Sequence, residues 1–191
     1  MQATTKLEAI NAMLSAASEA PVSTLDGNNG VQVQVALAVL DEASRRVQGD
    51  GWTFNRFETT FIRDSNNKIP INVDVIALDY PDDQHTDHDY TIRSNYLWDV
   101  NENTDTFDAD VTLRATLLLD WADLPFHAKD FIMARAIRMY TDRTVGTPTL
   151  AQATRQDEME AMARFKRTEM DIGDYHVLDS ETYRRIVLRK I

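Results

Sequence analysis

The sequence predicts an α+β protein in which helices from both ends of the chain form a bundle and the middle supplies an inserted antiparallel β domain. Apolar residues recur at helical spacing near both ends, whereas they alternate with polar residues in the middle. Helices followed by strands and then by helices are typical of this fold class. We therefore expect the bundle to comprise residues 1–51 and 122–191, and the acidic β domain to comprise residues 52–121.

Two helices are predicted before the β domain. Residues 5–19 carry apolar side chains at helical spacing, and Thr5 with Glu8 fits a capping box. Pro21 ends this helix, and Asp26-Gly-Asn-Asn-Gly30 is a cluster of turn formers. Residues 31–35 alternate as a strand does, but helical spacing continues beyond them, and the length of the segment favours a helix over 31–48.

The β domain is predicted from segments with the two-residue alternation of half-buried strands. Breaks rich in Asn or Asp at 64–67, 81–89 and 99–110 separate these segments, which predicts antiparallel hairpins. The alternating positions are Trp52/Phe54, Phe57/Thr59/Phe61, Ile69/Ile71/Val73/Val75 and Val111/Leu113/Ala115/Leu117.

Two further helices are predicted after the β domain. Asp123-Leu-Pro125 predicts a helix start with an acidic cap and an early proline, and Gly146 ends that helix. Thr147-Pro148 begins a long polar helix to about Met170. The first of these helices has a predicted apolar stripe of Phe126, Met133, Ile137 and Tyr140. The second has predicted apolar contacts at Leu150, Ala161, Met162 and Phe165.

The charge of the chain is concentrated in its middle. The net charge is −11, and residues 74–123 hold 13 acidic and two basic residues, while the rest of the chain holds 18 of each. One interpretation is a set of solvated loops that aids solubility. Another is a surface that repels phosphate backbones, which suits a place where DNA must slide without sticking. Both disfavour tight general binding of nucleic acid by this segment.

No motif in the sequence identifies a catalytic residue or a cofactor site. The absence of cysteine excludes thiol nucleophiles, disulfides and thiolate metal ligands. Neither a nucleophile elbow nor a glycine-rich phosphate-binding motif occurs. The 31 Asp and Glu residues make some close carboxylate pair almost inevitable, so such a pair has no diagnostic weight for glycoside hydrolysis. We expect no catalytic residues and no cofactor.

Residues 99–110 partly match a calcium-binding loop. Thr104 stands where that loop needs glycine, and a solvated acidic hairpin is therefore the preferred interpretation. The segment His85-Thr-Asp-His88 could supply zinc or manganese ligands, but its turn-forming surroundings favour a surface loop. We expect no metal site. The oxygen-bearing residues that make the calcium alternative worth stating are Asp99, Asn101, Asn103, Asp105 and Asp110.

The sequence also indicates where the protein is made. No apolar run approaches the roughly 20 residues that span a bilayer, and the N-terminus lacks a basic region followed by an apolar one. We therefore expect synthesis in a cytoplasm and no membrane partner.

The end of the sequence, Tyr183-Arg-Arg-Ile-Val-Leu-Arg-Lys-Ile191, combines basic and apolar residues. Its last eight residues carry a charge of +4. One interpretation is a solvated tail, and the other is an arm that becomes ordered when it docks on an acidic partner.

Two motifs flank the second predicted helix: Pro21-Val-Ser-Thr-Leu-Asp-Gly27 and Gly51-Trp-Thr-Phe-Asn55. With the amphipathic segments around them, they resemble the tail tubular protein A family, the head-to-tail adaptors or gatekeepers of T7-like short-tailed bacteriophages. The resemblance also favours a helix over 31–48. It continues at Leu124-Pro125 with the helix that follows, and at Glu169-Met-Asp171 with Gly173, Tyr175 and Leu178-Asp179.

The resemblance implies a structural virion protein rather than an enzyme. Its members would form a dodecameric ring between the portal protein and tail tubular protein B, the nozzle, with tail fibres attached near that junction. Genomic DNA would pass during ejection without sequence-specific binding, and the subunit would be made in the host cytoplasm. Glycan-cleaving activity has been credited to some members. The alternative function is therefore hydrolysis of capsule or cell-wall polysaccharide by an Asp/Glu pair, and a third is a calcium-dependent binding module at 99–110.

The resemblance also implies roles for particular residues. The loop at 21–30 is a candidate contact between subunits, and residues 183–191 are the candidate portal-docking segment. Trp52 and Phe54, together with Pro21 and Gly27, mark the structural junction between bundle and β domain. The portal-interface candidates are Arg184, Arg185, Ile186, Leu188, Arg189 and Lys190.

Overall fold

A computed structural model of the chain describes residues 5–26, 30–81 and 88–173. The described residues form helices at both ends and strands in the middle, so the α+β fold class is confirmed. In chain order the elements are α1 (Lys6–Ala16), α2 (Val31–Gln48), β1 (Arg56–Phe61), β2 (Val75–Asp79), β3 (Tyr90–Arg93), β4 (Tyr96–Asp99), β5 (Val111–Leu117), α3 (Phe126–Thr144) and α4 (Pro148–Ile172).

Both predicted N-terminal helices are confirmed. Thr5 caps α1 in a reciprocal capping box: its hydroxyl accepts the Glu8 N–H at 3.2 Å, and the Glu8 carboxylate accepts the Thr5 N–H at 3.0 Å. In α2 the alternating valines do not form a strand, because helical spacing buries Val33 and leaves Val31 exposed. The helical spacing of apolar residues that continues after residue 35 therefore determines the structure of the whole segment.

The C-terminal helices begin and end near the predicted positions, with two corrections in α3. Pro125 is its N-cap residue, and within the described chain no side chain caps its first turn, so the predicted acidic cap is wrong. The predicted apolar stripe is wrong at Phe126, which is 44% exposed; Tyr140 is fully buried, and Met133 and Ile137 are half-buried against the same core. The buried face instead comprises Ala128, Phe131, Ile132, Ala136, Met139, Tyr140 and Thr141.

Contacts with three other helices explain the burial of α3. It packs against α1, α2 and α4. A single stripe cannot describe a helix that is covered from several directions. After α3, Gly146 takes a positive φ of 64°, and Thr147 and Pro148 start α4 as predicted. Ala161 and Phe165 of α4 are buried, as predicted.

The strands form a three-stranded antiparallel sheet in the order β1-β5-β2 and a two-stranded sheet of β3 and β4. In the larger sheet Phe57 pairs with Ala115 and Thr59 with Leu113. β3 and β4 are joined by Ser94 and Asn95, both at positive φ, which is the geometry of a two-residue hairpin turn. The predicted antiparallel pairing is confirmed, but a hairpin joins only β3 to β4, because β1 pairs with the distant β5.

Several predicted strand positions are wrong. Trp52 and Phe54 lie in a turn before β1. Ile69 and Ile71 are buried, but they belong to an irregular segment, and the strand starts only at Val75. Strands β3 and β4 were not predicted, since they lie beside the polar segments that were read as breaks.

Buried apolar side chains fall into two clusters. One joins the four helices, and the other lies among the strands around Ile69, Leu97 and Leu113. Trp52 and Phe54 pack against the helical cluster although they follow α2 in the chain. The division into a bundle of residues 1–51 and 122–191 and an inserted domain of residues 52–121 stays a prediction. Of the helices described, none is long and apolar enough to cross a membrane.

Candidate functional site: the junction of helices and strands

The junction is the turn Gly51-Trp-Thr-Phe-Asn55, which connects α2 to β1. Gly51 has a φ of 71°, and a Cβ atom there would lie 3.2 Å from the hydroxyl oxygen of Thr116. A residue with a side chain would be strained by the backbone angle and crowded by β5. Glycine is therefore required where the chain turns from the helix towards the sheet.

The aromatic residues of the turn attach it to the helices. The Trp52 ring meets Phe165 of α4 edge to face, with centroids 4.6 Å apart, and its Nε1 donates to the carbonyl oxygen of Val47 at 2.6 Å. Phe54 lies edge-on to Phe165 and to His127 of α3. The two aromatics named at the predicted junction thus join α2, α3 and α4.

Two buried amides hold the chain segments that cross the junction. Asn55, 1% exposed, donates to the carbonyl oxygens of Gln48 and Leu117 at 2.9 and 2.7 Å and accepts the Trp52 N–H at 2.8 Å. The Gln48 amide makes a reciprocal pair with the backbone of Leu119, at 3.0 and 2.7 Å. These bonds tie the segment that enters the larger sheet and the segment that leaves it to the end of α2.

A buried carboxylate completes the junction. Glu169 of α4 is 4% exposed; one of its oxygens accepts the N–H and the hydroxyl of Thr53, both at 2.8 Å. The other oxygen lies 2.6 Å from Nε2 of His127. Each polar atom is matched by a protein partner, so the site binds the chain to itself and offers the carboxylate to no outside molecule.

Sequence reasoning found part of this junction. The glycine and the aromatics belong to a motif that was singled out, and Glu169 belongs to the C-terminal signature of the resemblance. Gln48 was missed. The available signal was a polar residue at the end of the apolar face that includes Leu40, Ala43 and Val47.

A second feature is an open acidic cleft of about 430 Å³ between β3, β4 and β5. Asp99 is buried on one side of it, with Nδ1 of His88 at 2.6 Å and the N–H groups of Asn101 and Glu102 at 2.9 and 3.0 Å. Burial alone would raise the pKa of the Asp99 carboxyl. The hydrogen bonds from Glu102, His88 and Asn101 outweigh burial and hold the pKa below its usual value.

The residues considered for calcium have separate partners. Lys68 lies 2.5 Å from Asp105, and Nε of Arg63 lies 3.4 Å from Asp110, while Asp99 faces His88. Asn101 and Asn103 are exposed. Among the described residues there is no group of three or more His, Asp or Glu side chains that could hold a metal ion.

Other predicted positions lie away from the junction or outside the described structure. Pro21 precedes Val22, whose backbone is bound at both its N–H and carbonyl by the Asn11 amide, so the start of the loop lies against α1. Gly27 and His85 lie outside the described residues. So do the portal-interface candidates Arg184, Arg185, Ile186, Leu188, Arg189 and Lys190.

Comparison with known proteins shows the family. The family model described as tail tubular protein matches residues 7–175, which include all four helices and both sheets. The chain belongs to the tail tubular protein family. It is also similar to Tail tubular protein A of Klebsiella phage KP34, with 32% identity over 125 residues. That alignment covers 64% of this chain and 64% of the relative.

Membership of the tail tubular protein family confirms the resemblance found in the two turn motifs. The protein is a structural component of a bacteriophage tail, and hence of the virion, rather than an enzyme. The alternative of a glycan hydrolase receives no support from the family or the relative. Within this chain the junction connects the end of α2 with α3, α4 and the larger sheet.

Proposed function

We propose that this tail tubular protein is a ring-forming adaptor that joins the portal protein to the tail nozzle. The observation that carries this proposal is the family match over residues 7–175, which spans the helices, the sheets and the junction between them. On this proposal the neighbours of the ring are the portal on one side and tail tubular protein B on the other. Tail fibres attach near the same place.

The subunits of such a ring make the same contact with each neighbour around a closed circle of twelve copies. A head-to-tail contact of this kind needs two different faces on each subunit. Exposed apolar side chains occur on α2 at Val31 and on α4 at Met159 and Met170, and they supply surface that a neighbour can bury. The rigid junction would keep the two faces at a fixed angle.

The ring would give genomic DNA a passage during ejection. DNA is a polyanion, and a lining with excess negative charge repels its phosphates and prevents adhesion. Residues 74–123 hold the whole excess negative charge of the chain. We propose that DNA passes this segment without sequence-specific binding.

Assembly with the portal tests the adaptor function. We expect full-length protein mixed with its portal to form rings of twelve subunits on the portal, seen by negative-stain imaging and weighed by native mass spectrometry. Portal alone is the control. The subunit alone is expected to stay monomeric under the same conditions if rings need the portal as a template. A protein that never associates with portal would overturn the proposal.

Removal of residues 183–191 tests the proposed portal-docking segment. This segment carries a charge of +4 over its last eight residues, interleaved with apolar residues. We expect its deletion to abolish co-sedimentation with portal while the circular dichroism spectrum still shows the helices and strands of a folded protein. A deletion variant that still docks as the full chain does would refute this role for the segment.

A further inference from the structure

A shallow groove of about 230 Å³ runs between α3 and α4. Its lining is mainly apolar on α3, where Met133, Ala134 and Ile137 are half-buried. Its rim carries carboxylates from both helices. These are Asp130 on α3 and Asp157 and Glu160 on α4, with Arg164 as the basic residue of the lining.

The two helices are antiparallel, which places the carboxylates along the groove. Asp130 lies 3.2 Å from Arg164, while farther along α3 the guanidinium of Arg135 meets Glu158 at 2.8 Å. Asp130 is therefore at one end, and Asp157 is near the other. The apolar lining from Met133 to Ile137 rises about 6 Å along the axis of α3.

We propose that this groove binds residues 183–191 of the same chain, with Ile186 and Leu188 on its apolar lining. The inference does not depend on the adaptor function. If the segment also contacts portal, the groove holds it before assembly.

The pattern of the segment matches the pattern of the groove. In an extended chain Ile186 and Leu188 point to the same face and lie about 7 Å apart, close to the length of the apolar lining. Two basic residues precede them, Arg184 and Arg185, and two follow, Arg189 and Lys190. The exposed carboxylates of Asp157 and Glu160 meet one basic pair while the apolar residues leave water; at the other end the Asp130 carboxylate is already paired with Arg164.

The connecting chain is long enough for the segment to reach its own groove. From Gly173 back to Arg164 is nine residues of α4, or about 14 Å. The ten residues from 174 to 183 span up to about 33 Å when extended. The same subunit can therefore supply both partners, and the local concentration of a tethered segment favours that pairing over one between subunits.

The acidic cleft of the sheets fits this segment less well. There Asp99 is engaged by His88 and two backbone N–H groups, and Asp110 lies against Arg63. Binding a basic segment in the cleft would compete with those bonds. On the groove rim, Asp157 and Glu160 are exposed residues of α4 that can meet a cation without breaking a buried network.

A disulfide trap tests the proposal, because the natural chain has no cysteine. The full-length protein carries Ala134→Cys in the groove and Leu188→Cys in the segment. On mild oxidation we expect an internal disulfide at monomer mass, identified by mass spectrometry of the linked peptides. A covalent dimer would show that the segment docks on another copy, and absence of a disulfide would show that it does not lie in the groove. Either result overturns the proposal.

The matched control pairs Leu188→Cys with Ser15→Cys, an exposed position on α1, which packs on α2 and α3. We expect the internal disulfide of this control pair to form more slowly than that of the groove pair, by about tenfold or more. Adding Asp157→Lys and Glu160→Lys to the groove pair should slow trapping by about tenfold, since both attractions become repulsions. Equal rates would refute the charge match. All measurements use the isolated protein, so failure here leaves the adaptor proposal standing.

Discussion

Single polar side chains hold the two halves of the molecule together at the junction. Asn55 and Gln48 are buried, and their amides bond the backbone of the segments that cross at the junction; Gln48 also donates to the hydroxyl of Ser44 in its own helix. A backbone group released from such a bond inside the protein loses its partner without regaining water. Two side chains therefore fix the relative positions of the chain segments that meet at the junction.

The change Asn55→Ala tests this. It leaves the carbonyl oxygens of Gln48 and Leu117 and the N–H of Trp52 without their side-chain partner. Because each buried unsatisfied group costs about 1–3 kcal/mol, we expect the free energy of unfolding to fall by about 3 kcal/mol. Urea unfolding followed by tryptophan fluorescence measures it. The control Asn66→Ala, at an exposed position, should change it by less than about 0.5 kcal/mol.

At the scale of elements, α4 is held to α3 by aromatic and ionic contacts. The rings of Phe131 and Phe165 stack with centroids 5.2 Å apart. Two turns of α4 before Phe165, the Glu158 carboxylate accepts from Nε of both Arg135 and Arg138. Burial acts to raise the pKa of Glu158, but the two guanidinium groups outweigh burial and lower it below 4.5.

The change Glu158→Gln tests the ionic contact. A carboxyl whose pKa is lowered by folding stabilises the fold fully above its unfolded value and loses that contribution as pH falls through the folded value. We expect the variant to be less stable by about 2 kcal/mol at pH 7 and the gap to narrow steadily below pH 4.5. Urea unfolding at several pH values measures the gap. A difference that stays constant down to pH 3 would contradict the assignment, and Asp171→Asn, at an exposed position of the same helix outside the groove, is the control.

At the scale of the whole molecule, charge and architecture are distributed differently along the chain. The sheets and their loops carry the excess negative charge, while the helical segments are balanced overall. Exposed carboxylates occur at Asp74, Glu102, Asp108 and Asp123. Such a distribution gives a field that keeps polyanions away from one part of the surface.

Reversing those four charges tests the field. We expect the natural protein to leave a 30-base-pair DNA duplex unbound at 50 mM salt, as measured by fluorescence anisotropy. The variant with Lys at all four positions should bind, and its affinity should fall steeply between 50 and 200 mM salt because counterion release drives the contact. The salt series is an internal control. Binding by the natural protein at 50 mM would contradict the proposed repulsion.

The sequence alone determined the fold class, the four helices and the family. Local signals suffice for these: the capping box at Thr5, the glycine after α3 and the proline that starts α4 each act within a few residues. The turn motif at 51–55 identified the family before its structural role was known. Residues 183–191, the portal-interface candidates, stay a prediction because they lie outside the described structure.

Only the tertiary structure decided the features that depend on contacts between residues far apart in the sequence. Trp52 and Phe54 alternate as strand residues do, but Phe165 and His127, more than 70 positions away in sequence, draw them into the helical core. The buried face of α3 depends on three neighbouring helices, and β1 pairs with β5 across some 50 residues. The periodicity of apolar residues indicates only which secondary structure one segment favours. Which surface is buried, and by which partner, follows from packing energies that no single segment contains.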